Sequence, residues 1–218
     1  YAAGEDGGTN LNSYNAVLRN VMNGVDTYWL KKPLRIGFNR KHTVMIDGSV
    51  LSQNGTKGNV RYSVNLGMGT NDGAMKGSSR TTYEAGTKLM FQTRKLYITN
   101  NLQFSLTNSA DSPYGNFSTY TRALPYYQER DDNGNYYRLL SIANFAPSGM
   151  ALGVLASQQS PVYEAKYLNS FSKAEVASVT NNFSVNWLIL PELRLKGSFS
   201  MSYDFSRDDA YVSPASFA

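Results

Sequence analysis

Apolar and polar side chains that alternate for a dozen consecutive positions leave a chain few folds to choose from. Val60, Tyr62, Val64, Leu66 and Met68 alternate with Arg61, Ser63, Asn65, Gly67 and Gly69. Farther along, Leu193, Leu195, Gly197, Phe199, Met201, Tyr203 and Phe205 alternate with Arg194, Lys196, Ser198, Ser200, Ser202, Asp204 and Ser206. A period of two belongs to a β-strand with one oily and one wet side. Six such segments are predicted, over Thr43–Ser52, Asn59–Thr70, Thr81–Thr93, Lys95–Thr107, Ala177–Leu190 and Leu193–Ser206. They run 10 to 14 residues. Soluble strands average about 5–6 residues, whereas a tilted strand needs about 9–11 to cross hydrocarbon. The expected class is therefore all-β and antiparallel, with strands suited to the wall of an outer-membrane barrel.

The joins between segments alternate in length. Gln53–Gly58 is short, Asn71–Arg80 longer, Arg94 nearly a direct reversal, Asn108–Val176 very long, and Pro191-Glu192 tight. Outer-membrane barrels keep short turns in the periplasm and long loops outside. Turns near Gly55, Arg94 and Pro191 are thus expected inside, with Asn71–Arg80 and Asn108–Val176 outside. The expected organisation is 1–42 as loop and short helix, 43–107 as four strands, 108–176 as a long outer loop, 177–206 as a hairpin, and 207–218 as the start of another outer loop. The first ten residues read as loop. Ser13 can cap a short helix carrying Tyr14, Val17, Leu18, Val21 and Met22 on one stripe, with Asn23-Gly24 as its stop. Asp26–Lys41 reads as irregular.

Within the six segments the apolar faces hold no charge, while the opposite faces hold Asp47, Arg61, Glu84, Lys88, Arg194, Lys196 and Asp204. A charge at the lipid midplane costs roughly 2–4 kcal/mol. A soluble core excludes charge as well, so strand length carries the distinction. Asn100 and Asn181 break the pattern, and mark either an interface or a slip of register. The chain of 218 residues has no cysteine, hence neither disulfides nor thiol chemistry. Its net charge of +5 is scattered, not gathered into a patch for nucleic acid. No stretch approaches the roughly 18 apolar residues of a membrane helix, and Met150–Ala156 falls far short. The first residues carry neither a signal-peptide pattern nor Met, so the chain reads as an interior or processed piece.

Several short motifs then appear in a consistent order. Asp26-Thr27-Tyr28-Trp29, Arg35-Ile36-Gly37-Phe38 and His42 precede Val60-Arg61-Tyr62-Ser63-Val64-Asn65-Leu66-Gly67 and Gly73-Ala74-Met75-Lys76-Gly77-Ser78. Asn100-Asn101-Leu102, Ser112-Pro113-Tyr114-Gly115, Pro125-Tyr126-Tyr127 and Pro161-Val162-Tyr163 come next. Asn182-Phe183-Ser184-Val185-Asn186-Trp187 and Leu190-Pro191-Glu192-Leu193-Arg194-Leu195-Lys196-Gly197 complete the series. From Asp26 to Ser206 the chain resembles the early barrel of SusC/RagA-type TonB-dependent outer-membrane transporters. The resemblance implies part of a transmembrane barrel of about 22 strands with a plugged lumen and short helices in its loops. Six strands are fewer than the about eight of the smallest such barrels, so a segment of a larger wall is expected. The whole protein would import a nutrient oligomer, glycan or peptide, across the outer membrane. A SusD-like surface lipoprotein would close over its mouth, and TonB would act through a plug lying outside this stretch.

Candidate site residues divide between binding and packing. Tyr114, Tyr120, Tyr126, Tyr127, Tyr136 and Tyr137 crowd the long loop. They read either as rigid aromatic platforms for a nutrient or, preferably, as loop packing and cross-strand pairs. Tyr62, Tyr83, Trp187 and Tyr203 fit interface girdles against outer-membrane lipid. His42 stands alone, without the Cys or acidic partners of a metal site. Glu129-Arg130-Asp131-Asp132-Asn133-Gly134 fails as an EF-hand, which needs Glu where Leu140 stands; Asn133-Gly134 reads instead as a type I′ hairpin turn. Gly67-Met68-Gly69 lacks the third glycine of a dinucleotide fingerprint; small residues facing a lumen explain it. No G-x-S-x-G or other nucleophile motif occurs, and the reading calls for neither enzyme activity nor a cofactor. A second reading, from another class, is a soluble all-β carbohydrate-binding module, whose strands would shorten and pack sheet on sheet.

Overall fold

The computed structural model describes residues 15, 17–51, 58–140 and 159–216. They form one antiparallel sheet of six strands in sequence order. The strands are β1 (Asn39–Val50), β2 (Asn59–Asp72), β3 (Ser79–Gln92), β4 (Leu96–Ala110), β5 (Phe171–Leu190) and β6 (Leu193–Tyr211). The sheet is open, with β1 and β6 as its free edges. Every predicted strand is present, and the strands reach farther than alternation alone indicates. β1 begins at Asn39, inside the stretch expected to be irregular, and β5 and β6 run 20 and 19 residues. The added turns of strand all lie at the long-loop end. Alternation fades there because Arg40, Glu175 and Arg207 enter the apolar face while Ala174 and Val176 stand on the other, which removes the periodic signal without breaking the hydrogen-bond ladder.

The turns at the other end are tight. In the β3–β4 turn the Thr93 hydroxyl accepts from the Leu96 and Lys95 amides at 2.9 and 3.3 Å, while Thr93 N–H donates to the Leu96 carbonyl. This local side-chain bond closes the reversal expected at Arg94. Pro191-Glu192 joins β5 to β6, and neither residue has positive φ, so the turn is not of the primed kind. A register shift between Leu188 and Leu190 absorbs the mismatch as a bulge. The turn expected near Gly55 lies outside the described residues, as do the first ten residues and the Ser13 and Tyr14 of the short helix.

Residues 17–22 are helical and stop where expected. Gly24 at φ +72° lets the Gly24 and Val25 amides donate back to the Val21 and Asn20 carbonyls, both at 3.0 Å. That is the Schellman arrangement, which requires a left-handed residue at this position. Two further short helices, α1 (Phe117–Arg122) and α2 (Pro161–Tyr167), arise inside the long β4–β5 connection. Asn116 caps α1; Ser160 followed by Pro161 caps and opens α2.

The hydrophobic core does not lie on the sheet. Its buried members are Trp29, from a short 3-10 turn, Tyr120 of α1, Leu140, and Val162 of α2. All belong to connections at the long-loop end, which together make a packed cap. Apolar residues of the sheet stay uncovered even on central strands: Leu66 is 55% exposed and Leu89 51%. No second sheet packs against either face among the described residues.

Candidate functional site

Three surfaces arise from this arrangement: two sheet faces and the cap. Backbone register aligns the apolar positions of all six strands into cross-strand rows. One row reads Val44, Leu66, Ala85, Phe104, Val179 and Tyr203; its neighbour toward the cap reads Met68, Tyr83, Leu106, Ala177 and Phe205, with the polar His42 at its β1 edge. The next row on the same face is polar in every strand: Arg40, Thr70, Thr81, Asn108, Glu175 and Arg207. The apolar face therefore has a sharp upper border. These charges fall just beyond the segments read from alternation, so the charge-free face is a band and not the whole strand. Along β5 the band from Ala177 to Trp187 covers about 33 Å at about 3.3 Å per residue. Tilted by about 45°, that gives a height of about 23 Å, close to the roughly 25 Å band of membrane barrels.

The four aromatics expected at interfaces all lie on this face. Tyr83 adjoins the polar row, and Trp187 sits at the turn end beside Leu96 and Leu195. Tyr203 lies one row inside the cap end of the band, and Tyr62 two rows inside its turn end. Asn100 and Asn181, the two misfits, resolve each other. They occupy neighbouring strands in an unslipped register, and the Asn100 Nδ2 donates to Asn181 Oδ1 at 2.8 Å. An amide pair on an apolar face costs far less than two separate amides, because each satisfies part of the other.

The opposite face gathers Asp47, Arg61, Glu84, Lys88, Arg194, Lys196 and Asp204, as alternation predicts. Hydroxyls and amides link neighbouring strands there. Thr82 meets Thr107 at 3.3 Å, Thr180 meets Ser202 at 3.3 Å, and Ser200 donates to Asn182 at 2.6 Å. Lys41 Nζ pairs with Glu84 at 3.1 Å. Such a face hydrogen-bonds water or polar ligands and offers nothing to lipid.

The cap ties distant connections together. Trp29 Nε1 donates to the Leu124 carbonyl at 2.9 Å, and the Tyr120 hydroxyl donates to the Tyr114 carbonyl at 3.1 Å. Lys32 forms an ion pair with Glu129, Lys76 Nζ donates to the Lys32 carbonyl at 2.7 Å, and Ser112 Oγ donates to the Lys76 carbonyl at 2.6 Å. The six loop tyrosines thus do not form one open platform. Tyr120 is 1% exposed, and burial, with Tyr114 and Glu164 nearby, pushes its hydroxyl well above the usual range. Tyr114, Tyr127 and Tyr136 pack half-buried against the core. Tyr126 meets Tyr127 edge-on at 5.6 Å, while the Arg130 guanidinium covers the Tyr136 ring at 4.2 Å. Burial raises Tyr127, aided by Tyr126, and raises Tyr137, aided by Asp131 and Asp132. The packing reading describes these residues better than a row of free rings.

The Asn133-Gly134 turn differs from the expected type I′. Only Gly134 has positive φ, at +85°. Gly134 N–H donates to the Asp131 carbonyl, and Asp131 N–H donates to Asn135, giving a type I turn with a glycine bulge. Asp131 selects it, since its carboxylate accepts from the Asn133 and Asn135 amides at 3.0 and 2.7 Å. Those bonds, Asn135 foremost, hold the carboxyl below its usual range. Leu140 is fully buried where an EF-hand would need a ligand.

Between α1 and α2 the cap leaves a crevice of about 260 Å³. Tyr114, Asn116, Thr119, Gln159, Ser160 and Glu164 line it. Its donors and acceptors beside one aromatic suit a hydroxyl- or amide-rich ligand. Reading the sequence missed this crevice, although Ser160-Pro161 is a helix-start signal within it. No helix among the described residues is long and apolar enough to cross a membrane, which says nothing of crossing by strands. No protein-family model matches the chain, and no curated protein matches it.

Proposed function

We propose that this chain is a stretch of wall from a transmembrane β-barrel, of the SusC/RagA-type TonB-dependent transporter class, in a bacterial outer membrane. One observation carries the membrane part of this reading. A half-exposed apolar face runs in register through six strands and ends at a row that is polar in all of them. A soluble protein would cover such a face with a second layer; a lipid bilayer covers it without one. The polar face then lines a wet lumen, and the cap stands at the outer mouth. Transport of a nutrient oligomer, glycan or peptide, rests on the resemblance in motif order. In that reading the crevice beside α1 and α2 and the exposed parts of the cap meet ligand or a SusD-like lid. Binding and coupling to TonB drive movement, and no bond is broken.

Cysteine accessibility in intact cells tests the topology. With the protein produced in its host from its natural gene, Gly134→Cys should react with an impermeant reagent from outside. Lys95→Cys should react only after the periplasm is opened, and Val64→Cys only with a lipid-phase probe. Equal labelling of all three by aqueous reagent would overturn the barrel assignment and favour a water-soluble β-rich binding module.

A further inference from the structure

Three glycines stand on the apolar face near the turn end: Gly48 of β1, Gly58 just before β2, and Gly197 of β6. Glycine weakens a strand interior and leaves a gap in its surface. Two of the gaps are filled. The Tyr62 ring, on β2, lies over Gly48, its direct cross-strand partner, so closely that a Cβ there would overlap the ring. The Phe91 ring, on β3, lies over Gly58, where a Cβ would come within 2.6 Å of it. In both cases the ring comes from the strand that follows in sequence. Aromatic cover of a strand glycine is a known means of pinning register and restoring buried surface.

Gly197 has no cover, and a Cβ there would have nothing within 4 Å. The preceding strand does not supply it, although Phe183 and Trp187 flank its partner Val185 on β5. The open side of Gly197 is the free edge of β6. We propose that this edge is completed by another antiparallel strand that carries an aromatic residue on the apolar face, seated over Gly197. The occupant is thus specified: alternating apolar and polar residues, antiparallel to β6, with Tyr, Phe or Trp opposite or diagonal to Gly197. The inference continues a cross-strand packing rule from β1–β2 and β2–β3 and does not depend on what solvent covers the face.

A photo-crosslinker tests it in the protein as its host produces it. Phe199 faces the same side one pair along, so a benzophenone amino acid at this position exchanges ring for ring. After irradiation, mass spectrometry should find it joined to a strand outside β1–β6 with an aromatic residue within two positions of the capture point. Capture of β1, of β6 from a second copy, of a strand lacking an aromatic, or of nothing would overturn the proposal. As an independent arm, Gly197→Ala should lower the temperature at which the folded form is lost by about 3–10 °C, the usual range for an overpacked contact. Replacing the captured aromatic with Ala as well should restore most of that loss. An unchanged melting temperature for Gly197→Ala would mean that no ring lies over it. Loss of the barrel reading by cysteine labelling would leave both arms of this test intact.

Discussion

Leu102→Arg, set beside Gln103→Arg, distinguishes lipid from water at the apolar face. The two positions are consecutive on β4, so secondary-structure propensity and strand context are shared. Register places Leu102 between Thr87 and Asn181 in the middle of the apolar band, and Gln103 between Gly86 and Thr180 on the polar face. Leu102 is 38% exposed, so its side chain meets whatever lies outside the sheet. If that is hydrocarbon, arginine near the midplane costs about 2–4 kcal/mol, or about 30- to 900-fold in the folding equilibrium. Gln103→Arg joins a hydrated face beside glycine and should fall within about 0.5 kcal/mol. Asn108→Arg, in the polar border row, should cost at most about 1 kcal/mol if depth governs the penalty. Reversible denaturant unfolding of the whole protein in lipid vesicles gives all three values. Equal costs at Leu102 and Gln103, or none at either, would refute the membrane reading, because a water-exposed face accepts arginine almost freely.

Three further outcomes follow from the same geometry. Tyr120→Phe removes the donor to the Tyr114 carbonyl and should loosen the cap by about 1 kcal/mol, whereas Tyr120→Ala should cost about 3–5 kcal/mol; limited proteolysis of residues 111–140 reports both. Asn100→Leu strands the Asn181 amide and should destabilise by about 1–2 kcal/mol, with most of the loss recovered when Asn181→Leu is added. If the double variant is no better than the single, the amides do not act as a pair. The raised hydroxyls of Tyr120, Tyr127 and Tyr137 favour the neutral form in the folded cap. Their contribution is complete below about 10, the free tyrosine value, and is lost as pH climbs past it. Tyrosinate absorbance and cap proteolysis should therefore change together in alkali, while the β-sheet circular dichroism holds.

The sheet was legible from sequence because its signal is local and repeats. Alternation from Val60 to Met68 determines both the strand and the face it shows, and the neighbouring segments follow the same rule. Legibility ends where charge enters the apolar face at Arg40, Glu175 and Arg207, because the alternation that marks a strand is lost there although the pairing continues. The cap was far less legible. Tyr120 and Tyr126 look alike in sequence, yet one is buried and bonded while the other lies at an edge. What separates them is contact with Trp29 and Val162, which no local pattern records. The Asn133-Gly134 pair misleads for a related reason, since the choice of turn belongs to Asp131, two residues before the pair that names the turn type. Aromatic cover of Gly48 and Gly58 depends on pairing register and appears only once strands are side by side.

The bonds that close the cap have a temporal consequence. Trp29 precedes β1, yet its indole N–H finds its acceptor at Leu124, and Asn20 finds its own at Tyr126, after four strands have been laid down. Sequence separations of 95 and 106 residues make these among the longest closures in the chain. Such contacts cannot offset their loop entropy until the intervening strands hold the ends together. A partly assembled chain that has delivered β1 to β4 alone leaves Trp29 without its buried neighbours. A set cap therefore requires β1 to β4 to be paired beneath it first, and asks nothing of β5 and β6.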